Sequence, residues 1–164
     1  MECLEAVRAA RELLKDITPL NQDCGRFCGG ACCQCDEDGQ GGMLLFPEEE
    51  ALYSPLPEGF SIISDDSVFP GGRLLTCLGR CDRKTRPLAC RLFPLLPARN
   101  GVRLDRRGWA VCPLMEYGKT GLRKDFVQAV VQAGQILYAC PRHAEFLEAL
   151  HAYNRRLKEM VRGR

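Results

Sequence analysis

Apolar residues recur at three- and four-residue spacing at both ends of this chain and lose that rhythm in the middle. Leu4, Val7, Arg8, Arg11 and Leu14 follow the helical period, which predicts a helix over 2–16 that Pro19 ends. Leu122, Phe126, Val130, Ala133 and Leu137 form a second stripe. Cys140-Pro141 breaks it and can open the next helix, because proline is tolerated at the first helical position. In that last helix Phe146, Leu150, Tyr153, Leu157 and Met160 line one face. Between these ends the pattern changes. MLLFP (43–47) reads as a short buried strand, with a helical turn in EEEALYS after Pro47. Residues 56–72 mix strand-like and turn residues, and RLLTCL (73–78) suggests another strand. PARNGVRLDRRGWAVCP predicts a hairpin with Asn100-Gly101 as its turn. Residues 20–42 have little periodicity and many glycines and cysteines, so they read as loop.

The expected fold is therefore mainly α with irregular, metal-organised loops and a few short strands. Terminal helices frame a cysteine-rich centre. The length of 164 residues suits a single domain over 1–164, with a cysteine-cluster core at about 20–115 and a helical part at about 120–162.

Composition turns attention to sulfur. The chain has 11 cysteines, an odd number that cannot be fully paired within one molecule. MECLEAVRAARELLKDI is amphipathic and lacks the apolar core of a secretory signal, and no stretch reaches the ~18 apolar residues of a membrane span. A cytoplasmic location follows as the expectation, with thiols reduced and a disulfide framework disfavoured. Clustered thiolates in that setting point to a soft metal.

Residues 24–35, CGRFCGGACCQC, hold five cysteines and three glycines. Three groups make up the candidate ligand set: Cys24, Cys28, Cys32 and Cys33; then Cys77, Cys81 and Cys90; then Cys112. Short-spaced cysteines let a loop supply some ligands while the fold supplies the rest. Glycines 25, 29 and 30 allow tight turns that bring amide N–H groups near sulfur. Arg80, Arg83, Lys84, Arg86 and Arg91 crowd around Cys81 and Cys90, where they can offset thiolate charge, although any one of them would serve equally as a solvated surface residue. An all-thiolate site suits a [4Fe–4S] cluster or zinc. Eight candidate cysteines exceed one four-ligand site. Cys3, Cys35 and Cys140 read as ordinary thiols. His143 and His151, the only histidines, read as surface or packing residues.

Charge is unevenly spread. Residues 1–70 hold 14 acids against 4 bases, a balance of −10, whereas 71–164 hold 7 against 19, a balance of +12. The preferred reading is that the halves fold together and neutralise. An acidic protein partner is the alternative, and nucleic acid is disfavoured because no aromatic stacking platform accompanies the bases. Several enzyme classes are excluded. Both gaps in the first cysteine group are three residues, unlike the Cys-x3-Cys-x2-Cys of radical enzymes that use S-adenosylmethionine. No cysteine–histidine pairing and no phosphate-binding glycine loop can be read.

At CGRFCGGACC followed by RPLACRLFPLLP (86–97), the chain resembles the YkgJ-type family of zinc- or iron-chelating cysteine-cluster proteins, which includes flagellin lysine N-methylases. The matching positions are Cys24, Cys28, Cys32, Cys33, Cys81, Arg86, Pro87, Cys90, Arg91, Phe93, Pro94 and Cys112. The resemblance spans about residues 20–115 and implies a metal centre on those cysteines, with Arg86 and Arg91 beside it. It also raises cluster-dependent protein-lysine N-methylation as an alternative to a metal-binding role. A zinc-stabilised adaptor is a third class.

Overall fold

Three helices and a strand hairpin build most of the apolar core. The computed structural model describes residues 1–21, 28–33 and 41–163. Helix α1 (Cys3–Leu13) buries Ala6, Val7 and Ala10, with Leu14 just beyond its end. The buried face is rotated from the expected stripe: Arg8 is exposed, and alanines take the contact side. Small residues there let α1 lie close against helix α3 (Lys124–Tyr138), whose own contact face includes Ala129, Val130 and Ala133.

The middle of the chain forms a three-stranded antiparallel sheet in the order β1-β3-β2, from Gly41–Leu44, Arg73–Cys77 and Ser61–Ser64. β3 lies centrally, pairing Met43 with Leu75 on one side and Ile62 with Leu75 on the other. Its Leu75 joins Leu45 and Tyr53 in a small second core. A one-turn helix α2 (Leu88–Leu92) then leads into a two-stranded hairpin, β4 (Leu95–Ala98) and β5 (Gly101–Leu104). Its two-residue loop is Arg99-Asn100, one residue earlier than expected, because Ala98 pairs with Gly101 and Leu95 with Leu104.

The hairpin lies on α3. A Cβ placed on Gly134 would stand 2.9 Å from the ring of Pro97, so a glycine that weakens a helix elsewhere lets the hairpin seat here. Helix α4 (Pro141–Arg162) opens with proline at its first turn and Cys140 as its N-cap. It buries Phe146, Leu147 and Leu150, but Met160 is 64% exposed because the helix has run past the core by then. Beside Phe146 and Leu150 of the expected apolar face, α4 also buries His143, His151 and Asn154. Each is used as a polar tie: His143 Nε2 to the Pro47 carbonyl (3.0 Å), His151 Nε2 to the Pro97 carbonyl (2.7 Å), and Asn154 Oδ1 accepting from Arg106 N (2.6 Å). The architecture is thus helix-rich with short antiparallel strands between terminal helices. Among the described residues, no helix is long and apolar enough to cross a membrane.

No ion pair among the described residues joins the acidic half to the basic half. Among the described residues, Arg11–Glu49 and Lys15–Glu12 lie within the first half, and Arg99–Glu148, Arg107–Asp105 and Arg123–Asp125 within the second. Three of these five partners sit two or three residues apart, where charges meet without help from the fold.

Burial holds the pKa of His151 below its ordinary value, with the Pro97 carbonyl working in the opposite direction. A base whose folded pKa is depressed binds fewer protons when folded, so stability falls as pH drops below its unfolded value of about 6.5. Urea unfolding between pH 7 and 5 is expected to show this decline. His151→Gln, which keeps a donor for Pro97 but does not titrate, is expected to flatten it. An unchanged slope would contradict the assignment.

Candidate metal centre

Local chain geometry brings the cysteine groups toward one face. Cys28 is followed by Gly29 (φ 65°) and Gly30 (φ 72°), both left-handed, and then by a one-turn 3-10 helix over Ala31–Cys33. Two consecutive left-handed residues reverse the chain sharply, and a side chain at either would be strained. Cys33 N closes the turn on the Gly30 carbonyl at 2.8 Å. Cys32 and Cys33 then hold their sulfurs 4.0 Å apart. Cys77 ends β3, and Cys81 follows it before a turn in which Asp82 accepts from Lys84 N (2.8 Å) and its carbonyl from Thr85 N (3.0 Å). Pro87 starts α2, which carries Cys90.

That short helix is fixed by a buried carboxylate. Glu49 is fully buried and accepts from Leu88 N (2.7 Å), Phe46 N (3.0 Å) and the Arg11 guanidinium (3.2 Å). It therefore caps α2 while joining it to the segment after β1 and to α1. Burial raises the Glu49 pKa, and the two amides and Arg11 work against that rise. Arg11 also donates to Tyr53 Oη (3.2 Å), whose hydroxyl donates to the Thr85 carbonyl (2.9 Å). Arg91, expected beside the metal, lines the pocket described next, but its donors are committed elsewhere. They reach the carbonyls of Arg83 (2.7 Å), Arg86 (2.9 Å), Lys84 (3.1 Å) and Arg11 (3.3 Å). Arg91 is a clamp on the 83–86 loop.

Two adjoining pockets result. The larger, about 90 Å³, is lined by Cys28, Cys32, Cys33, Cys90 and Cys112 together with Arg86 and Arg91. The smaller, about 40 Å³, is lined by Cys32, Cys33, Cys77, Cys81, Cys90 and Arg86. Seven of the eight expected ligands therefore face one pocket or the other, and the eighth, Cys24, lies outside the described residues, as does Cys35. The thiols interact electrostatically. Burial pushes the Cys90 thiol well above its ordinary pKa, and the neighbouring Cys33 and Cys81 charges push it further. Burial opposes the Arg86 cation, but Cys81, with Cys33 and Cys90 behind it, outweighs this and holds its pKa high. Burial likewise raises the Cys112 thiol, as does Cys28, while the amides of Leu114 and Met115 favour its thiolate. Sulfur beside amide donors and a cation is an environment that suits a metal-bound thiolate.

A different group brings three ligand atoms closer together. Among the described residues, Cys3, Cys140 and His143 have ligand atoms that all lie within 4.8 Å of one another, a set that could hold a metal ion. Cys3 and Cys140, read from sequence as ordinary thiols, are joined as a disulfide across 137 residues, with Cα atoms 5.6 Å apart. Nothing in their spacing signals the pairing; the packing of α1 beside the start of α4 creates it. His143 is buried between them and Phe46, its ring edge-on to Phe46 at 5.8 Å, and burial lowers its pKa. The sole sequence hint was that Cys140 directly precedes a helix-starting proline.

Fold and pockets together define a helix-rich protein with thiol-lined cavities and, apart from them, a Cys3, Cys140 and His143 group that could hold a metal ion. Comparison with protein-family models, curated proteins and solved structures gives no match.

Removing the charge of Glu49 tests its role. Glu49→Gln presents a donor where one of three donors must be accepted, and is expected to lower unfolding free energy by about 3 kcal/mol in urea titrations. A loss under about 0.5 kcal/mol, the size of an ordinary surface change, would count against this role.

Proposed function

We propose that this chain is a metal-binding protein of the YkgJ type. Its centre is held by thiolates drawn from Cys24, Cys28, Cys32, Cys33, Cys77, Cys81, Cys90 and Cys112, and contains either a [4Fe–4S] cluster or zinc in a cytoplasmic protein. One observation carries the reading: cysteines from three separate stretches of chain share two adjoining pockets with a half-buried arginine. Burial, and then the neighbouring Cys33 and Cys81 charges, disfavour a Cys90 thiolate, and a bound cation reverses that cost. Arg86 offsets the remaining negative charge of a four-thiolate centre. Amides of Leu114 and Met115 orient Cys112.

A second reading draws on the wall of the larger pocket. Leu14, Ile17, Met43, Phe93 and Leu114 line it together with the cysteines, giving an apolar surface in the same pocket. Such a surface suits the aliphatic stem of a lysine and favours a cluster-dependent protein-lysine N-methylation role.

Anaerobic purification with an absorption spectrum and metal analysis on one sample separates the options. Brown protein with matched iron and sulfide identifies a cluster, and colourless protein with stoichiometric zinc identifies a zinc centre. Cys28→Ser and Cys90→Ser are expected to lose the metal. Full metal retention in both variants would refute the ligand set, and metal-free wild-type protein would refute the proposal.

A further inference from the structure

The Cys3–Cys140 pair has a neighbour that a simple staple does not need. His143 is fully buried, and its Nε2 meets the Pro47 carbonyl at 3.0 Å. A carbonyl only accepts, so Nε2 carries the proton and Nδ1 of the neutral ring bears a lone pair. That Nδ1 is buried without a hydrogen-bond partner among the described residues. Leaving such an atom unpaired costs about 1–3 kcal/mol. A ring nitrogen of His143 nonetheless lies within 4.8 Å of both sulfurs. Imidazole whose other nitrogen donates to a backbone carbonyl is the usual arrangement of a metal-bound histidine.

We propose that Cys3, Cys140 and His143 form a redox-gated zinc site, closed as a disulfide when oxidised and holding one zinc ion on two thiolates and one imidazole when reduced. The site is independent of the centre proposed above. A dithiol reductant opens it by exchange: its two sulfurs become a disulfide, two electrons pass to the Cys3–Cys140 bond, and two thiols result. Zinc binding then releases both thiol protons. Return to the disulfide needs a two-electron oxidant of the disulfide class, which takes the electrons as the zinc ion leaves.

The geometry suits this exchange. Tetrahedral zinc with sulfur at about 2.3 Å needs its two sulfurs about 3.8 Å apart, so the pair must separate after reduction. Cys140 is buried, but Cys3 is half-exposed at the start of α1, which leaves it room to turn and gives reductant and ion a way in. Both thiols stand at helix N-termini, α1 and α4, whose positive dipole ends favour thiolate charge. One zinc ion, two thiolates and a neutral imidazole carry no net charge, so no further ion has to be buried. Three protein ligands leave a fourth position for water or a carboxylate. Glu48, whose carboxylate accepts from Leu4 N at 3.1 Å, stands nearby.

The test counts zinc on the full chain. Protein reduced with a dithiol and desalted anaerobically is titrated with Zn²⁺ alone, and bound ions are counted by native mass spectrometry. Reduced wild type is expected to hold one zinc more than the same protein reoxidised, and one more than reduced Cys3→Ser. Because reoxidation also acts on the middle cysteines, the comparison with reduced Cys3→Ser is the one that isolates this ion. Cys90→Ser is expected to keep this ion, so failure here and failure of the main centre are told apart. His143→Gln keeps a donor for Pro47 but lacks Nδ1, and is expected to bind this zinc about 100-fold more weakly. Far-UV circular dichroism checks that each variant is folded, and should Cys3→Ser not fold, reduced Cys140→Ser takes its place in the comparison. Equal zinc in reduced and reoxidised wild type overturns the proposal.

Discussion

A single buried carboxylate holds the centre of this molecule together. Glu49 accepts hydrogen bonds from the segment after β1, from the first amide of α2 and from Arg11 on α1. Two more exposed ties run beside it, from Arg91 to the Arg11 carbonyl and from Leu4 N to Glu48. Burying a carboxylate is expensive unless its oxygens are fully engaged, so its position dictates where each donor must lie. Because α2 has only one turn, little inside it would keep it in place. Its Cys90 stands where it does because Glu49 caps one end and Arg91 clamps the preceding loop at three carbonyls and α1 at a fourth.

The two sulfur groups occupy different physical settings. Around Cys90 the thiols face open pockets with an arginine among them, and the chain reaches them through turns rather than through regular structure. Cys3, Cys140 and His143 instead sit where two helices begin, against aromatic side chains. In the first setting, burial and the crowding of sulfurs disfavour thiolate charge at Cys90. The second can store its sulfurs as a neutral disulfide, and leaves only an imidazole nitrogen unsatisfied.

Much of the framework was legible from periodicity. The helix pattern around Leu122–Leu137 and the break at Cys140-Pro141 match α3 and the start of α4 to within a few residues. Apolar side chains at helical spacing have one outcome when a core is available. The face of α1 was less legible, since alanines give a weak hydrophobic signal while permitting the closest approach. Glu49, in the run EEE, looked like any exposed acid. Three consecutive glutamates contain nothing that says which one will meet three donors.

By itself the sequence determined the terminal helices, the short strands and the grouping of cysteines around Cys28–Cys33 and Cys81–Cys90. All of these depend on residues close together in the chain, where spacing and turn chemistry act directly. Tertiary structure alone decided that Arg91 serves the backbone, that Arg11 meets Glu49, and that Cys3 and Cys140 meet beside His143. Those outcomes join residues up to 137 positions apart. Which distant side chains meet depends on how the helices pack, and packing reflects the whole core rather than any one segment.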